Sequence, residues 1–280
     1  MKIANLRKRK APKLINLSHS SLSQYEEKCP FSFKLKYIDK IYLDEASYHS
    51  VFGHAVHDSL QALLEEKITE TELEELFPRL FREKLKKELT AEQIQEILQG
   101  KKDRDAVFDM SQNGAMLCAK SIEKLHETFP GFKFIGAEKL LEEPLFVSKK
   151  NDYLFKGKID LVIQLTDGTY VLIDWKTCSW GWTPRQRSDK WKTYQLAYYK
   201  HFFSLIEDVD FKDVDTYFAL IKRTDKDDFI EFVKVPVGEK KVSNALQVIQ
   251  DITIKVDKNF FPKNKLFCEK CEYHKTIHCP

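Results

Sequence analysis

Apolar residues recur at helical spacing through the first half of the chain. Val56, Leu60 and Leu64 lie four residues apart and place one apolar stripe on a predicted helix. Periodic apolar positions predict helices over residues 17–28, 50–66, 71–98 and 105–128. Hydroxyl residues at the start of the first of these can cap it. We therefore expect a helical portion over residues 50–130.

The pattern becomes strand-like after Gly131. β-branched and aromatic runs predict strands over residues 133–148, 153–165, 169–175, 215–223 and 228–235. Asp167 and Gly168 separate the second and third runs and predict a tight hairpin. Two further helices are predicted over 191–206 and 238–256. This order indicates an α/β or α+β fold whose sheet core spans residues 131–235.

The composition narrows the class of protein. The chain has 280 residues, of which 42% are hydrophobic and 32% charged, so we expect a globular chain with one large core, with or without an appendage. The net charge of +3 hides an asymmetry, because residues 1–25 contain six basic residues and no acid. A basic arm over residues 1–16 favours a polyanionic partner, although a solvated terminus has the same charge.

The sequence also bears on location. No run of about 18 apolar residues is present, and the basic start lacks the apolar segment of a secretory signal. We therefore expect a cytoplasmic, intracellular protein with no membrane partner. In that compartment the six cysteines are expected to be thiols or metal ligands rather than disulfides.

Two aspartates interrupt the predicted hairpin strands. Asp160 lies in GKID and Asp174 in IDWKT, each within an otherwise apolar run. Adjacent carboxylates repel, and a divalent cation such as Mg²⁺ or Mn²⁺ would relieve the repulsion. Lys176 leaves the strand on the same face as Asp174. The set predicts metal-assisted hydrolysis of a phosphodiester; the alternative is an ordinary cross-strand ion pair at a sheet edge.

Five short segments, taken in order, carry a family resemblance. GHAVH, the glutamate Glu138, GKID, IDWKT and QLAYY resemble the RecB-type branch of the PD-(D/E)XK nuclease superfamily. The resemblance runs from about residue 17 to the end of the chain. It implies a restriction-endonuclease-like α/β fold, in which a mixed central sheet is flanked by helices, and a single nuclease domain over residues 1–280.

The resemblance also implies a role for each matching residue. The implied metal ligands are three side chains and one backbone carbonyl, those of His57, Asp160, Asp174 and Trp175. Lys176 would be the catalytic lysine, with Asp160 and Asp174 as the catalytic acids. Glu138 would serve a second metal or a water, and Gln195 and Tyr199 would contact substrate or orient the catalytic strand.

The tail over residues 260–280 is rich in cysteine. Cys268 and Cys271 form a C-x₂-C pair, and Cys279 follows seven residues later. A fourth ligand can come from Cys29, His274 or His278. The resemblance to AddB-type helicase–nuclease subunits and CRISPR-associated exonucleases implies Cys29 and a [4Fe–4S] cluster. The alternatives are a structural Zn²⁺ held with one of the histidines, or free thiols. Cys118 is interpreted as helix core and Cys178 as incidental.

The loop after the second predicted hairpin strand mixes tryptophan with basic residues. Such a mixture suits single-stranded nucleic acid, because bases stack on rings while cations follow phosphates. Trp182, Arg185 and Arg187 are therefore predicted to contact substrate. The alternative is that Trp180 and Trp182 pack the loop onto the sheet.

These observations together predict a metal-dependent DNA nuclease. The favoured activity is an exonuclease on single-stranded DNA or duplex ends, in recombination, repair, or phage or CRISPR DNA processing. The alternatives are a catalytically weak DNA-binding or scaffold subunit and a metal-stabilised interaction module. Because no P-loop motif occurs, unwinding of a duplex would need a helicase or other processing partner.

Overall fold

The computed structural model describes residues 13–43, 46–145, 150–223 and 228–280. Most of the predicted basic arm and residues 146–148 of a predicted strand lie outside these ranges. The chain divides into two compact units. The first contains the described residues within Met1–Ile41, Glu142–Lys156 and Leu246–Pro280, and the second those within Tyr42–Leu141 and Gly157–Ala245.

The described residues form six strands and nine α-helices. The strands are β1 (Leu14–Leu17), β2 (Lys133–Leu145), β3 (Asp152–Gln164), β4 (Tyr170–Cys178), β5 (Val214–Lys222) and β6 (Ile230–Lys234). The helices are α1 (His19–Ser23), α2 (Pro30–Phe33), α3 (Tyr48–Leu64), α4 (Glu70–Glu88), α5 (Ala91–Gln99), α6 (Lys101–Thr128), α7 (Pro184–Arg187), α8 (Lys190–Glu207) and α9 (Glu239–Asp257). A π-helical segment follows each of α1 and α2.

One prediction about secondary structure is wrong, and one strand is absent from the predictions. The stretch 71–98 is two helices, because Thr90 caps the start of α5 and exchanges hydrogen bonds with Gln93 in a capping box. Residues at the end of the predicted arm form β1, which pairs in parallel with the beginning of β3. Four residues of alternating burial are too short a pattern to separate from a polar arm.

Tyrosine hydroxyls join distant segments of the first unit. Tyr153 on β3 donates to the carbonyl oxygen of Thr253 on α9 at 3.2 Å. Tyr25 donates to the Phe260 carbonyl at 2.5 Å. Tyr273 is fully buried, and its hydroxyl donates to the carbonyl of Ile41 at 2.6 Å. The amino-terminal helical turns and the carboxy-terminal tail are therefore held in one unit.

The second unit contains the predicted hairpin and the larger core. The hairpin is confirmed: β3 pairs antiparallel with β4, with Leu161 opposite Ile173. β5 joins β4 in parallel and β6 pairs antiparallel with β5, so the sheet is mixed. The confirmed fold is a mixed sheet flanked by helices. β4 is buried from its second to its sixth residue, which encloses any charge placed there.

Close packing between α4 and α6 fixes the helical side of this unit. Phe52, Phe77 and Phe81 are buried and meet edge-on or tilted. A Cβ atom added to Gly114 on α6 would lie 1.9 Å from the Phe77 ring, so only glycine permits this approach. In the described part of the chain, no helix has the length and apolar character needed to cross a membrane.

Candidate functional site

The hairpin brings the two predicted acids to neighbouring strands. Asp160 precedes Leu161, whose partner across the hairpin is Ile173, the residue before Asp174. Asp160 accepts a hydrogen bond from the backbone amide of Trp175 through Oδ2 at 2.7 Å. Asp160 thus fixes the backbone directly after Asp174, and the two carboxylates lie close together on β3 and β4.

Asp174 is almost completely buried, with 1% of its surface exposed. Its Oδ1 accepts a hydrogen bond from Gln195 Nε2 at 2.7 Å. Its Oδ2 lies 2.5 Å from Lys176 Nζ, but the approach lacks hydrogen-bond geometry, and this oxygen makes no regular hydrogen bond to any described residue. A buried carboxylate oxygen is costly unless a cation balances its charge, and the Lys176 ammonium does so here.

Asp174 and Lys176 each shift the pKa of the other. Burial raises the pKa of Asp174 to about 6, and the nearby Lys176 ammonium limits the rise. Burial lowers the pKa of Lys176, but the negative charges of Asp174 and Asp160 outweigh it and the net shift is upward. Lys176 therefore stays protonated at neutral pH, and about one third of its side chain (34%) remains open to solvent.

His57 reaches the site from α3. Its Nε2 lies 3.0 Å from the carbonyl oxygen of Trp175, and its Nδ1 lies 3.6 Å from Asp160 Oδ2. Burial lowers the pKa of His57, but the hydrogen bond and charge of Asp160 raise it further, so the net shift is upward. Two predicted metal ligands, the imidazole and the Trp175 carbonyl, are thus 3.0 Å apart. Neighbouring ligands of an octahedral ion at 2.0–2.1 Å are separated by about the same distance.

Glu138 joins this group from β2. Ligand atoms of His57, Glu138 and Asp160 all lie within 4.8 Å of one another. Glu138 has a left-handed backbone conformation, φ +52°, which is rare for a residue other than glycine within a strand. Its carboxylate forms an ion pair with Lys158, a residue that the sequence analysis did not single out. Lys158 lies two residues before Asp160 and therefore on the same face of β3, and this spacing is the sequence signal that could have identified it.

Tyr199 completes the contacts on α8. Gln195 Nε2 lies 3.0 Å from the Tyr199 hydroxyl, which accepts its hydrogen bond. Burial, together with the charge of Asp174, raises the pKa of Tyr199 well above its usual value. The hydroxyl therefore stays neutral. The predicted pair on one face of the helix is confirmed as a pair in space, and both side chains approach Asp174.

The residues present fit a divalent cation. The donor set is one imidazole, carboxylate oxygens and a backbone carbonyl, which suits a hard ion such as Mg²⁺ or Mn²⁺. Asp174 Oδ2 is buried and ion-paired with the Lys176 ammonium, so a divalent cation would share this oxygen with Lys176. Asp174 is outside the tightest group of His57, Glu138 and Asp160, but its charge acts on His57 directly.

The tryptophan loop has one residue against the sheet and others at the surface. The Trp182 ring meets Phe218 of β5 at 4.9 Å between centroids. Arg187 forms an ion pair with Glu231 at 2.7 Å and donates from Nε to the carbonyl of Trp182 at 2.9 Å. Trp180 is 74% exposed, and Arg185 is exposed as well. The predicted substrate contacts thus divide into two packed residues and one surface cation.

The four predicted cysteine ligands line one cavity in the first unit. Cys29, Cys268, Cys271 and Cys279 are free thiols, and His274 lines the same cavity. The amide of Asn264 donates to Cys29 Sγ at 3.3 Å. Burial raises the pKa of the Cys271 thiol, and nearby Cys29 and Cys279 add to the rise. Cys118 is fully buried on α6, as predicted.

The fold and this group of residues define a class of protein. A mixed sheet carries two aspartates and a lysine on a hairpin, and neighbouring helices add a histidine and a glutamine. The sequence model of the PD-(D/E)XK nuclease superfamily matches residues 16–276. The chain belongs to that superfamily, whose members typically use divalent metals. No curated protein matches the chain.

One solved structure agrees on the fold. A crystal structure from Eubacterium rectale, provisionally named an exonuclease, is similar with a TM-score of 0.58 and 13% identity. The similarity covers 100% of this chain and 96% of that one. Two others are more distant. SSO0001 has a TM-score of 0.41 and 12% identity, over 92% of this chain and 83% of that one. Protein VC1899 from Vibrio cholerae has a TM-score of 0.25 and 9% identity, over 78% of this chain and 58% of that one.

Proposed function

We propose that the protein is a metal-dependent DNA nuclease of the RecB type, acting as an exonuclease on single-stranded DNA or duplex ends. The observation that carries the proposal is the buried Asp174 carboxylate, held by Gln195 and Lys176 next to the group of His57, Glu138 and Asp160. The name of the Eubacterium rectale protein agrees with this activity. The single-domain organisation over residues 1–280 and the helicase or other processing partner remain predictions.

His57, Asp160, Asp174 and the Trp175 carbonyl would hold the cation. When bound, a divalent cation polarises a phosphate oxygen and lowers the pKa of an attacking water. Asp160 also accepts the Trp175 amide, which fixes the orientation of the carbonyl beyond it. These residues therefore place the scissile phosphate at the carboxyl end of β4, where Lys176 is open to solvent.

Lys176 supplies a fixed positive charge at this place. Its pKa is raised, so it carries a proton when the substrate binds. Such a cation stabilises negative charge that develops on the phosphate and can orient the attacking water. Gln195 holds one oxygen of Asp174 and thereby directs the other toward Lys176. Asp174 and Lys176 are two residues apart on β4, so the strand itself sets their spacing.

Cleavage of labelled DNA tests the proposal. Single-stranded and duplex substrates are incubated with Mg²⁺ or Mn²⁺ and with wild type, Asp174→Ala or Lys176→Ala. We expect wild type to shorten DNA from an end and both variants to lose at least 100-fold in rate, the usual scale for one catalytic group. EDTA should abolish cleavage. Equal cleavage by all three proteins would assign the activity to a contaminant or a different site.

A matched variant separates catalysis from folding. Lys86→Ala removes an exposed lysine of the same unit on α4 and should cleave like wild type. Binding of DNA without cleavage by wild type would instead support the scaffold function. Circular labelled DNA serves as a second substrate, since an exonuclease leaves it intact and an endonuclease opens it.

The second part of the proposal concerns the cysteines. Four free thiols from segments far apart in sequence line one cavity, which supports a [4Fe–4S] cluster held by Cys29, Cys268, Cys271 and Cys279. Ligands of one zinc ion, at about 2.3 Å from the metal, would lie within roughly 4 Å of one another. Within the described chain, these sulfurs do not form a group as tight as the 4.8 Å group around His57. The metal content of the purified protein separates the cluster from zinc.

A further inference from the structure

A groove in the second unit is lined by basic residues. It lies between the beginning of α8, the end of β6 and the beginning of α9. Its cations are Arg187, Lys190, Lys234, Lys240 and Lys241. None of the described residues that line it is a carboxylate. The lining of the groove is therefore positive, and that charge favours a polyanion.

Some of these cations also bind groups of the protein. Arg187 pairs with Glu231 at 2.7 Å, and Lys234 pairs with Asp215 at 2.7 Å. Lys241 donates to the carbonyl of Pro236 at 2.9 Å. Lys190 and Lys240 are exposed at the edge of the groove. The positive excess thus comes mainly from the lysines at the beginnings of the two helices.

The floor of the groove is apolar. Tyr194, Val233 and Val235 are buried beneath it, and Pro236 lies beside them. Lys190 Nζ stands 5.3 Å from the centre of the Tyr194 ring, so the charge lies over an aromatic surface. A single strand can turn its bases toward such a floor and its phosphates toward the lysines. A duplex keeps its bases stacked inside and gains nothing from the floor.

The sheet register relates the groove to the proposed catalytic site. Asp174 pairs with Phe218, and Phe218 pairs with Val233, so the three residues form one row across β4, β5 and β6. Two strand spacings give about 10 Å from Asp174 to the groove. At about 3.4 Å per stacked nucleotide, that distance corresponds to roughly three nucleotides. Trp182 covers Phe218 within this row.

We infer that the groove binds the backbone of single-stranded nucleic acid a few nucleotides away from the phosphate held at Asp174. The inference rests on the proposed nuclease function for its direction but not for the binding itself. The groove therefore sets a minimum length that a substrate strand needs in order to reach both the groove and the phosphate site. A strand of about five nucleotides ends before the far side of the groove, whereas a longer strand fills it.

The helix positions make a clean variant available. Lys190 is the first residue of α8, and Lys240 lies in the first turn of α9. A cation there opposes the helix dipole, so its removal does not weaken the helix. Lys190→Gln with Lys240→Gln is the test variant. Lys101→Gln with Lys102→Gln is the control, because these exposed lysines occupy the same position at the beginning of α6, outside the groove.

Binding is measured in EDTA, without cleavage, by fluorescence anisotropy of oligothymidylates of 5 and 20 nucleotides at several salt concentrations. For the 20-mer we expect the test variant to bind at least fivefold more weakly than wild type. The slope of log K against log salt should fall by about 1.4, or about 0.7 for each lost phosphate contact. The control variant should change less than twofold for both lengths.

The other outcomes separate the groove assignment from the nuclease proposal. Equal weakening in test and control variants would show a diffuse charge effect. Equal weakening for 20-bp duplex, or for polyglutamate as an acidic protein, would show a groove that does not select single strands. Wild type that binds the 20-mer through the groove but never cleaves DNA in Mn²⁺ would refute the nuclease proposal alone. Cleavage of long strands without an effect of the test variant would refute the groove alone.

Discussion

The amide nitrogen of Gln195 donates to the buried Oδ1 of Asp174 at 2.7 Å and lies 3.0 Å from the Tyr199 hydroxyl. This contact decides which oxygen of the carboxylate remains for Lys176 and a cation. Gln195 is thus a positioning residue in the proposed site, since it acts on substrate only through Asp174. The relationship joins α8 to β4 at the point where the sheet carries its buried charge.

Gln195→Ala should weaken metal binding, because Asp174 loses the hydrogen bond that orients it. A partner of a metal ligand typically contributes 10–100-fold in affinity or activity. We expect the Mn²⁺ dissociation constant, measured by calorimetry, to rise by that factor. Gln247→Ala is the control, since Gln247 donates a similar bond to Asp251 at 2.8 Å on the surface of α9. Unchanged Mn²⁺ affinity in Gln195→Ala would remove the positioning role.

Asp174→Asn should change how stability depends on pH in the metal-free protein. Burial raises the pKa of Asp174 from 3.8 in the unfolded chain to about 6 in the folded one. The stability that this group contributes is fully present below pH 3.8 and is lost as pH rises through about 6. Above that pH the ionised carboxylate costs up to about 3 kcal/mol. The free energy of unfolding of Asp174→Asn should therefore gain on wild type between pH 4 and pH 7.5.

Urea unfolding in EDTA across this pH range measures the difference. The sign of the change with pH is the test, because the pKa of Asp174 already includes its attraction to Lys176, and the carboxyl is protonated below about pH 6. Asp251→Asn removes an exposed carboxylate and is the control. Mn²⁺ at pH 7.5 should stabilise wild type more than Asp174→Asn. A constant or falling difference from pH 4 to 7.5 would show that Asp174 is not held at a raised pKa.

Much of this site is visible in the sequence because strand alternation restricts it. Asp174 and Lys176 share a face by their spacing, and the Asp167–Gly168 turn brings β3 to β4 with Asp160 beside them. The sequence does not show which other strand or helix packs against this hairpin. Glu138 and Lys158 meet across β2 and β3, and nothing in either segment states that these strands pair.

The remaining differences have local causes. The divided helix at Thr90 depends on a four-residue capping box, which a long Leu- and Glu-rich pattern masks. The basic groove depends on two helix beginnings that lie about 50 residues apart in sequence and meet only through β6. In the sequence, Lys190 is one more basic residue near the tryptophan loop, and Lys240 gives no signal.

Glu138→Gly should stabilise the protein relative to Glu138→Ala. Glu138 has φ +52°, and a left-handed conformation costs an ordinary residue about 1–2 kcal/mol, whereas glycine adopts it freely. Within a strand, glycine normally destabilises, so a higher stability of the glycine variant identifies the backbone cost. Both variants lose the carboxylate and the ion pair with Lys158, and this comparison cancels that loss.

Chemical unfolding of the two variants gives the comparison, and Mn²⁺-dependent cleavage gives their activities. We expect the glycine variant to be about 1 kcal/mol more stable, with both activities reduced at least tenfold. Lys139→Gly against Lys139→Ala at the next residue is the control and should show the usual order, alanine above glycine. The same order at residue 138 would show that its backbone carries no such cost.

Cys29→Ser should separate the metal site of the first unit from the chemistry of the second. Cys29 and Cys268 are about 240 residues apart, and a shared metal group constrains the unfolded chain by closing that loop. Anaerobically purified wild type should be brown, with broad absorbance near 400 nm, and should contain about four irons per chain. Cys29→Ser should lose most of the iron and melt at a lower temperature. Cys178→Ser, which removes a thiol outside the cavity, should keep both the iron and the melting temperature of wild type.

His274→Ala distinguishes iron from zinc. It should leave the iron content unchanged but would abolish a zinc site that uses this imidazole. A colourless wild type with one zinc per chain would exclude the cluster.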